Sequence, residues 1–101
     1  MRVDAGFSAA DAAALWKQTF EHEPFIKVVK GRYPEVVGIV GTNYVEVGYE
    51  LGPVEAGART LACFSALDNL VKGGAGQAVQ SMNLALGLDE AATLDDPGQW
   101  P

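Results

Sequence analysis

The sequence has little sulfur, little histidine and little positive charge, and each shortage excludes a class of protein. A single cysteine, Cys63, forms no internal disulfide, and with one histidine it leaves no ligand set for a structural zinc ion. Seven basic residues stand against 13 acidic ones, a net charge of −6. We therefore expect no binding to nucleic acid or to an anionic membrane, and we predict a reducing, cytoplasmic location.

Long hydrophobic runs are also absent. No stretch approaches the roughly 20 apolar residues that a bilayer span needs, and the N-terminal residues lack the apolar region of a signal peptide. What is present is ordinary globular composition, with 49% hydrophobic and 20% charged residues in 101 positions. These values predict one domain with a modest core.

The first half of the chain predicts one helix followed by strands. Ser8 and Asp11 have the spacing of a capping box, which favours a helix over 9–21. Its helical spacing directs Leu15, Trp16 and Phe20 to the core, and Phe25 is also expected there. Short apolar runs predict strands over 25–29, 36–40, 44–51 and 59–66, with a turn over 52–57. In the third of these strands Glu46 and Glu50 alternate with apolar residues, which predicts a solvated face.

The last third changes from a strand period to a helical one. Residues 68–74 predict a loop, and a helical stripe follows until Gly87, a natural helix stop. Residues 89–101 predict an extended, solvated acidic tail in which Trp100 is available to dock. Clustered strands between two helices predict an α+β fold, a predominantly antiparallel sheet with helices on one face and 59–66 as a central strand.

A glycine-rich loop at 68–77 is the segment with the strongest chemical signal. Gly73, Gly74 and Gly76 would each cost a helix about 1 kcal/mol relative to alanine, so a functional reason is expected. Glycines let a ligand approach the backbone, and free amides at a helix start favour an anion beside Lys72. Asn69 offers an amide that can donate and accept. The alternative is a turn whose small residues only allow tight packing.

Three motifs in this order resemble the N-acetyl-γ-glutamyl-phosphate reductase family. EPFIKV at 23–28 is similar to the family's E-P-F-V-x-V, and GTNYVEVG at 41–48 to its G-T-N-x-x-D-I-G. DNLVKGGAGQAVQSMNL at 68–84 is similar to its D-N-L-V-K-G-A-A-G-Q-A-V-Q-N-M-N-L. Relatives that act on carrier-bound aminoadipyl or glutamyl phosphate are similar, and aspartate-semialdehyde dehydrogenases share a looser form. The resemblance covers 7–94.

The resemblance implies a C-terminal portion of a reductase with a glyceraldehyde-3-phosphate-dehydrogenase-like C-terminal domain over 1–88 and a tail over 89–101. It implies NADP as the cofactor, with the loop beside its nicotinamide half, and a homo-oligomer formed through the sheet. The residues carried over as cofactor-binding are Asn69, Lys72, Gly73, Gly76 and Gln77. The family's nucleotide-binding domain and its nucleophilic cysteine lie upstream of the matching region, and the carrier-linked relatives imply a small acyl-carrier-type partner.

The remaining chemical side chains predict no catalytic group. Cys63 lies in a predicted central strand, so we expect a buried and inert thiol. His22 follows a helix beside two glutamates and is expected to be an ordinary surface histidine. The sequence thus predicts a portion of an acyl-phosphate reductase of arginine or lysine biosynthesis that is not catalytic alone. Two alternatives remain, a free-standing oligomerisation module with this fold and a small anion-binding domain that uses Lys72.

Overall fold

The computed structural model describes residues 1–98, which form a four-stranded sheet with two helices. The strands are β1 (Arg2–Asp4), β2 (Ile26–Val28), β3 (Val45–Leu51) and β4 (Ala58–Leu67), and the helices are α1 (Ala9–Phe20) and α2 (Gly76–Ala85). The strand order is β1-β4-β3-β2. β4 pairs antiparallel with β1 and β3, whereas β2 pairs parallel with β3. The predicted α+β class with a predominantly antiparallel sheet is confirmed.

Helix α1 begins at the predicted capping box. The Ser8 hydroxyl accepts from the Asp11 amide at 3.1 Å, and the Asp11 carboxylate accepts from the Ser8 amide at 2.8 Å. The indole of Trp16 lies 4.8 Å from the ring of Tyr49, centroid to centroid, and this contact lays α1 on one face of the sheet. The prediction that Leu15 joins the core is wrong, because its side chain is 41% exposed.

Strands β3 and β4 form the predicted hairpin. Their register places Tyr49 opposite Cys63, and the turn uses a positive φ at Ala56 and Gly57. β4 is a central strand, as predicted, since β1 covers its other edge. The free edges of the sheet therefore belong to β1 and β2 rather than to the hairpin strands.

Two parts of the sheet differ from the sequence prediction. The run at 36–40 is not a strand but a 3-10 turn over Val36–Gly38, in which Val36 and Val37 stay exposed. The sequence pattern also did not predict β1. The N-terminal amine of Met1 donates to the Leu61 carbonyl at 2.9 Å, so a distant strand supplies its hydrogen bonds. β1 thus depends on a partner far away in the chain, whereas the turn at 36–38 is closed by local backbone bonds.

The core lies between α1, the chain entering β2 and the central strands, and its fully buried apolar side chains are Ala12, Phe25, Ile39 and Leu61. The prediction of an extended tail is wrong for 89–94, which form turns against α2. The Asn83 amide donates to the carbonyls of Glu90 and Ala92, both at 3.1 Å. Trp100 lies outside the described residues. Within 1–98, no helix combines the length and the apolar character that a membrane crossing requires.

Candidate functional site

The loop that follows β4 is closed by the side chain of Asp68. One carboxylate oxygen accepts from the amides of Leu70 and Val71 at 2.8 and 2.9 Å, and the other accepts from the Gly41 amide at 2.8 Å. The Gly41 amide, with those of Val71 and Leu70, holds the pKa of Asp68 below its usual value. The chain therefore places its own negative charge on the amides of Leu70 and Val71, next to the glycines where an anion was expected to bind.

The turn Val71–Ala75 is wider than an α-helix. The Ala75 amide donates to the Leu70 carbonyl at 2.9 Å, a bond across five residues, and the Gly76 amide donates to the Val71 carbonyl in the same way. Gly74 leaves helical geometry at φ −140° and ψ −107°, which separates this turn from α2. Such a widened turn is frequent at functional sites.

The five residues predicted to bind the cofactor divide into an outer and an inner group. Asn69, Gly73 and Gln77 are exposed and follow one another at intervals of four positions. A Cβ on Gly73 would lie 3.3 Å from the Asn69 amide oxygen, so these two residues are neighbours. Lys72 is half-buried and Gly76 is buried, so the two inner residues face the protein. The five residues together remain a prediction of the cofactor site.

Lys72 points towards α2 rather than towards solvent. Its ammonium donates to the Gln80 side-chain oxygen at 2.5 Å and lies 5.6 Å above the centre of the Phe25 ring. Burial lowers its pKa, while the charges of Glu90 and Glu23 act in the opposite direction. The ammonium of Lys72 and the amides of Leu70 and Val71 thus already have partners within the chain, and the anion-binding alternative remains a prediction.

Asn43 reaches the same loop from the turn that precedes β3. Its side chain is 1% exposed, and its amide nitrogen donates to the Gln80 oxygen at 3.0 Å. Its amide oxygen has no hydrogen-bond partner among the described residues. A Cβ on Gly76 would lie 2.3 Å from that oxygen, so only glycine fits there. Sequence reasoning assigned no role to Asn43 or Gln80, although both stand in the motifs it singled out.

Glu46 is buried, which contradicts the predicted solvated face of β3. Its side chain is 5% exposed and accepts two bonds from the Arg32 guanidinium, at 2.7 and 2.8 Å. The Glu35 amide adds a third bond at 2.9 Å. The bond to Arg32 lowers the pKa of Glu46 although burial opposes it. Glu50 is exposed as predicted and accepts from the Tyr33 hydroxyl at 2.6 Å.

Neither candidate nucleophile nor candidate base lies in the loop. The prediction that Cys63 is buried is wrong, because its side chain is exposed in β4. The structure leaves that half of the sheet face uncovered, since Ser65 beside it is exposed as well. The His22 side chain is 90% exposed and lies 3.3 Å from the Glu21 carboxylate, as expected of a surface histidine.

Two clefts lie beside α1, away from the loop. The larger, about 510 Å³, is lined by Lys30, Arg32 and Tyr33 among others, and the smaller, about 380 Å³, by Trp16 and Phe20. Trp16 and Phe20 are only half-buried, whereas Phe25 is 1% exposed, as predicted for a core residue. None of the five predicted cofactor-binding residues lines either cleft.

The chain is similar to reductases that act on acyl phosphates. It is 46% identical to N-acetyl-gamma-glutamyl-phosphate reductase of Thermus thermophilus and 43% identical to that of Micrococcus luteus, over 98% and 99% of the chain. It is 41% identical to [LysW]-L-2-aminoadipate 6-phosphate reductase of Deinococcus radiodurans over 98% of the chain. In each case it spans only 28–29% of the relative's length.

A family model locates the match more closely. Residues 1–69, which include all four strands and α1, match the model described as "Semialdehyde dehydrogenase, dimerisation domain". The match ends at Asn69, so most of the glycine loop and α2 lie beyond it, while the reductases above match through both. This match covers more than half of the chain and includes the antiparallel hairpin and the capped helix. The chain therefore belongs to the semialdehyde dehydrogenase dimerisation-domain family.

Proposed function

We propose that this chain is part of an NADP-dependent reductase that converts an acyl phosphate, N-acetyl-γ-glutamyl phosphate or its carrier-linked aminoadipyl counterpart, to the semialdehyde. The names of the relatives support this reaction class, and both arginine and lysine biosynthesis are represented among them. The observation that carries the proposal is the loop 68–77, in which the exposed residues Asn69, Gly73 and Gln77 present uncharged amide and glycine groups.

The loop fits the carboxamide of a nicotinamide better than a phosphate. Asp68 already satisfies the amides at the loop start and contributes a negative charge, which disfavours a second anion. Asn69 is exposed, and no hydrogen bond joins its side chain to another of residues 1–98. An amide side chain can donate to and accept from a carboxamide at once. When bound, NADPH would supply the hydride.

Within this proposal the five residues have different parts. Asn69 and Gln77 supply polar contacts to the cofactor, and Gly73 leaves space for its close approach. Lys72 and Gly76 form the inner side of the loop, so they support the cofactor site from within the protein. The carrier-linked relatives support a small carrier protein as a further partner of the whole enzyme. An exposed, unpaired Cys63 supports a reducing cytoplasm as the compartment.

Chain 1–101 alone should not catalyse the reaction. The family's cysteine nucleophile belongs to the upstream part that the resemblance places outside this segment, and Cys63 has no base beside it in the described structure. We expect no oxidation of NADPH by the purified chain with any acyl phosphate. Turnover that survives repurification and disappears in Cys63→Ser would overturn the proposal.

The direct test uses a reductase polypeptide that carries this domain. Asn69→Ala should weaken NADP binding or hydride transfer by about 1–3 kcal/mol, the cost of leaving a buried polar partner unpaired. Gln18→Ala, an exposed amide on α1, is the control and should leave both unchanged. If Asn69→Ala lowers only the melting temperature, the loop is a packing element and the cofactor assignment is wrong.

The second candidate function is an oligomerisation module without a reductase partner. The family's dimerisation domain and the uncovered half of the sheet beside Cys63 favour this role. Both candidates predict a homo-oligomer, so assembly does not separate them. A coding sequence for a nucleotide-binding domain next to that of this chain would favour the reductase.

A further inference from the structure

We infer that Asn43 is a positioning residue that fixes the loop 68–77 through the side-chain amide of Gln80. The inference deepens the proposed function, because the exposed residues of this loop are the ones proposed to face the cofactor. It joins two motifs that are separate in the sequence, GTN at 41–43 and GQAVQ at 76–80. Three observations carry it: the direction of the hydrogen bonds, the unpaired oxygen of Asn43, and the space at Gly76.

The orientation of the Gln80 amide is set by a charge on each side. An ammonium can only donate, so the group that Lys72 meets at 2.5 Å must be the Gln80 oxygen. A carboxylate can only accept, so Glu90 at 2.8 Å must meet the Gln80 nitrogen. The amide thus links a positive and a negative side chain, and it cannot rotate by half a turn without losing both contacts.

The orientation of Asn43 then follows from that of Gln80. Asn43 lies 3.0 Å from the same Gln80 oxygen, so it must present its nitrogen there. The Asn43 oxygen therefore faces Gly76, and a Cβ built on Gly76 would lie 2.3 Å from it. This buried oxygen without a partner is a cost that the fold accepts in order to hold Gln80.

A second contact joins the turn at 41–43 to the loop 68–77. The amide of Gly41 donates to Asp68 at the start of the loop, and Asn43 holds Gln80 beyond its end. The loop is therefore fastened at both ends to one three-residue turn. In that arrangement Lys72 is directed inwards and Asn69 outwards, so the turn determines which groups of the loop a ligand can meet.

The first experiment measures amide hydrogen exchange in the 101-residue chain without any cofactor. The reporters are the amides of Ala75 and Gly76, which bond across the widened turn. Asn43→Ala should raise their exchange at least tenfold relative to amides in the centre of β4. Glu46→Gln is the control, since Glu46 is also buried but bonds to Arg32 and Glu35, which take no part in the bridge. It should lower overall stability without that selective increase.

The second experiment reverses donor and acceptor in the hydrogen bond between Gln80 and Glu90. Gln80→Glu alone sets two carboxylates against each other at the Glu90 contact and should release the loop. Adding Glu90→Gln restores every donor and acceptor, so the double variant should return the loop exchange to within about threefold of the parent chain. The inference is overturned if Asn43→Ala affects the reporters no more than Glu46→Gln, or if the double variant exchanges as fast as Gln80→Glu. Neither outcome depends on NADP, so a failed cofactor assignment remains distinguishable.

Discussion

At the scale of single residues, Glu46 shows how a charge can be buried inside a small sheet. Its carboxylate receives both arms of the Arg32 guanidinium and the Glu35 amide, which together replace the water that burial removes. Arg32 itself stays about half exposed, so the pair remains partly hydrated. The contact fastens the segment 32–35 across the face of the sheet opposite α1.

This ion pair predicts a dependence of stability on acid. The pKa of Glu46 is lower in the folded chain than in the unfolded one, so its contribution is present above the usual glutamate pKa of about 4.3 and is lost as the pH falls through the folded value. Glu46→Gln should lower the free energy of unfolding at neutral pH by about 1–3 kcal/mol and flatten the loss of stability below pH about 4. Urea titrations at several pH values measure both.

Glu55→Gln is the control for that experiment, because Glu55 is an exposed carboxylate in the hairpin turn. It should change neither the stability at neutral pH nor the acid slope. An acid slope in Glu46→Gln equal to that of the parent chain would show that other carboxylates carry the effect.

Two phenylalanines differ in burial, one in the centre of the core and one at its edge. Phe25 is 1% exposed and packs its ring 5.4 Å from that of Tyr44, whereas Phe20 lies half-buried beside a cleft. Phe25→Ala should therefore cost about 3–5 kcal/mol of folding stability, and Phe20→Ala clearly less. Denaturant titration compares the two. A larger loss at Phe20 would place the centre of the core under α1 instead.

At the scale of elements, α1 combines a capped first turn with a narrow buried face. Ala12 is its fully buried side chain, and Leu15 is largely exposed. The capping box satisfies amides that would otherwise lack partners. It also lowers the pKa of Asp11, mainly because the Ser8 backbone amide donates to the Asp11 carboxylate.

Removal of the cap should therefore be measurable. Ser8→Ala should reduce stability by about 1 kcal/mol, whereas Ser8→Asp should retain most of it, because aspartate also caps a helix start. Thermal unfolding followed by circular dichroism distinguishes the two variants. Equal melting temperatures for Ser8→Ala and the parent chain would mean that packing on Tyr49 alone holds the helix.

At the scale of the whole molecule, the chain exposes more surface than its length requires. Its radius of gyration is 16.0 Å, against about 13 Å for a compact domain of 100 residues. The large apolar side chains left exposed include Phe64, Leu67, Met82, Leu84, Leu86 and Leu88. These side chains offer two candidate interface surfaces, one on the sheet and one on and after α2.

We therefore expect a homodimer or larger species in solution, as a dimerisation domain implies. Sedimentation equilibrium across a wide concentration range measures it. Phe64→Glu, on the sheet, and Leu86→Glu, on the end of α2, test which surface is used, and the one at the interface should shift the chain towards monomer. A monomer at every concentration would contradict the expectation.

The sequence by itself determined the elements whose signals are local. The capping box of α1, the strand at β3, the turn within 52–57 and the stop at Gly87 each depend on neighbours within a few positions, and all four are where the sequence predicts them. The motif at 68–84 also located the candidate loop, because its residues are consecutive.

Tertiary structure alone decided the features that join distant segments. β1 forms because β4 offers it partners some 60 residues away, and the Glu35 amide just before the turn at 36–38 bonds to the buried carboxylate of Glu46. Asn43 meets Gln80 across 37 positions, and Lys72 turns inward to donate a hydrogen bond to the oxygen of that amide. Hydrogen-bond partners at such separations leave no periodic trace in a single sequence, so only the folded chain reveals which polar groups are engaged and which are left to meet a ligand.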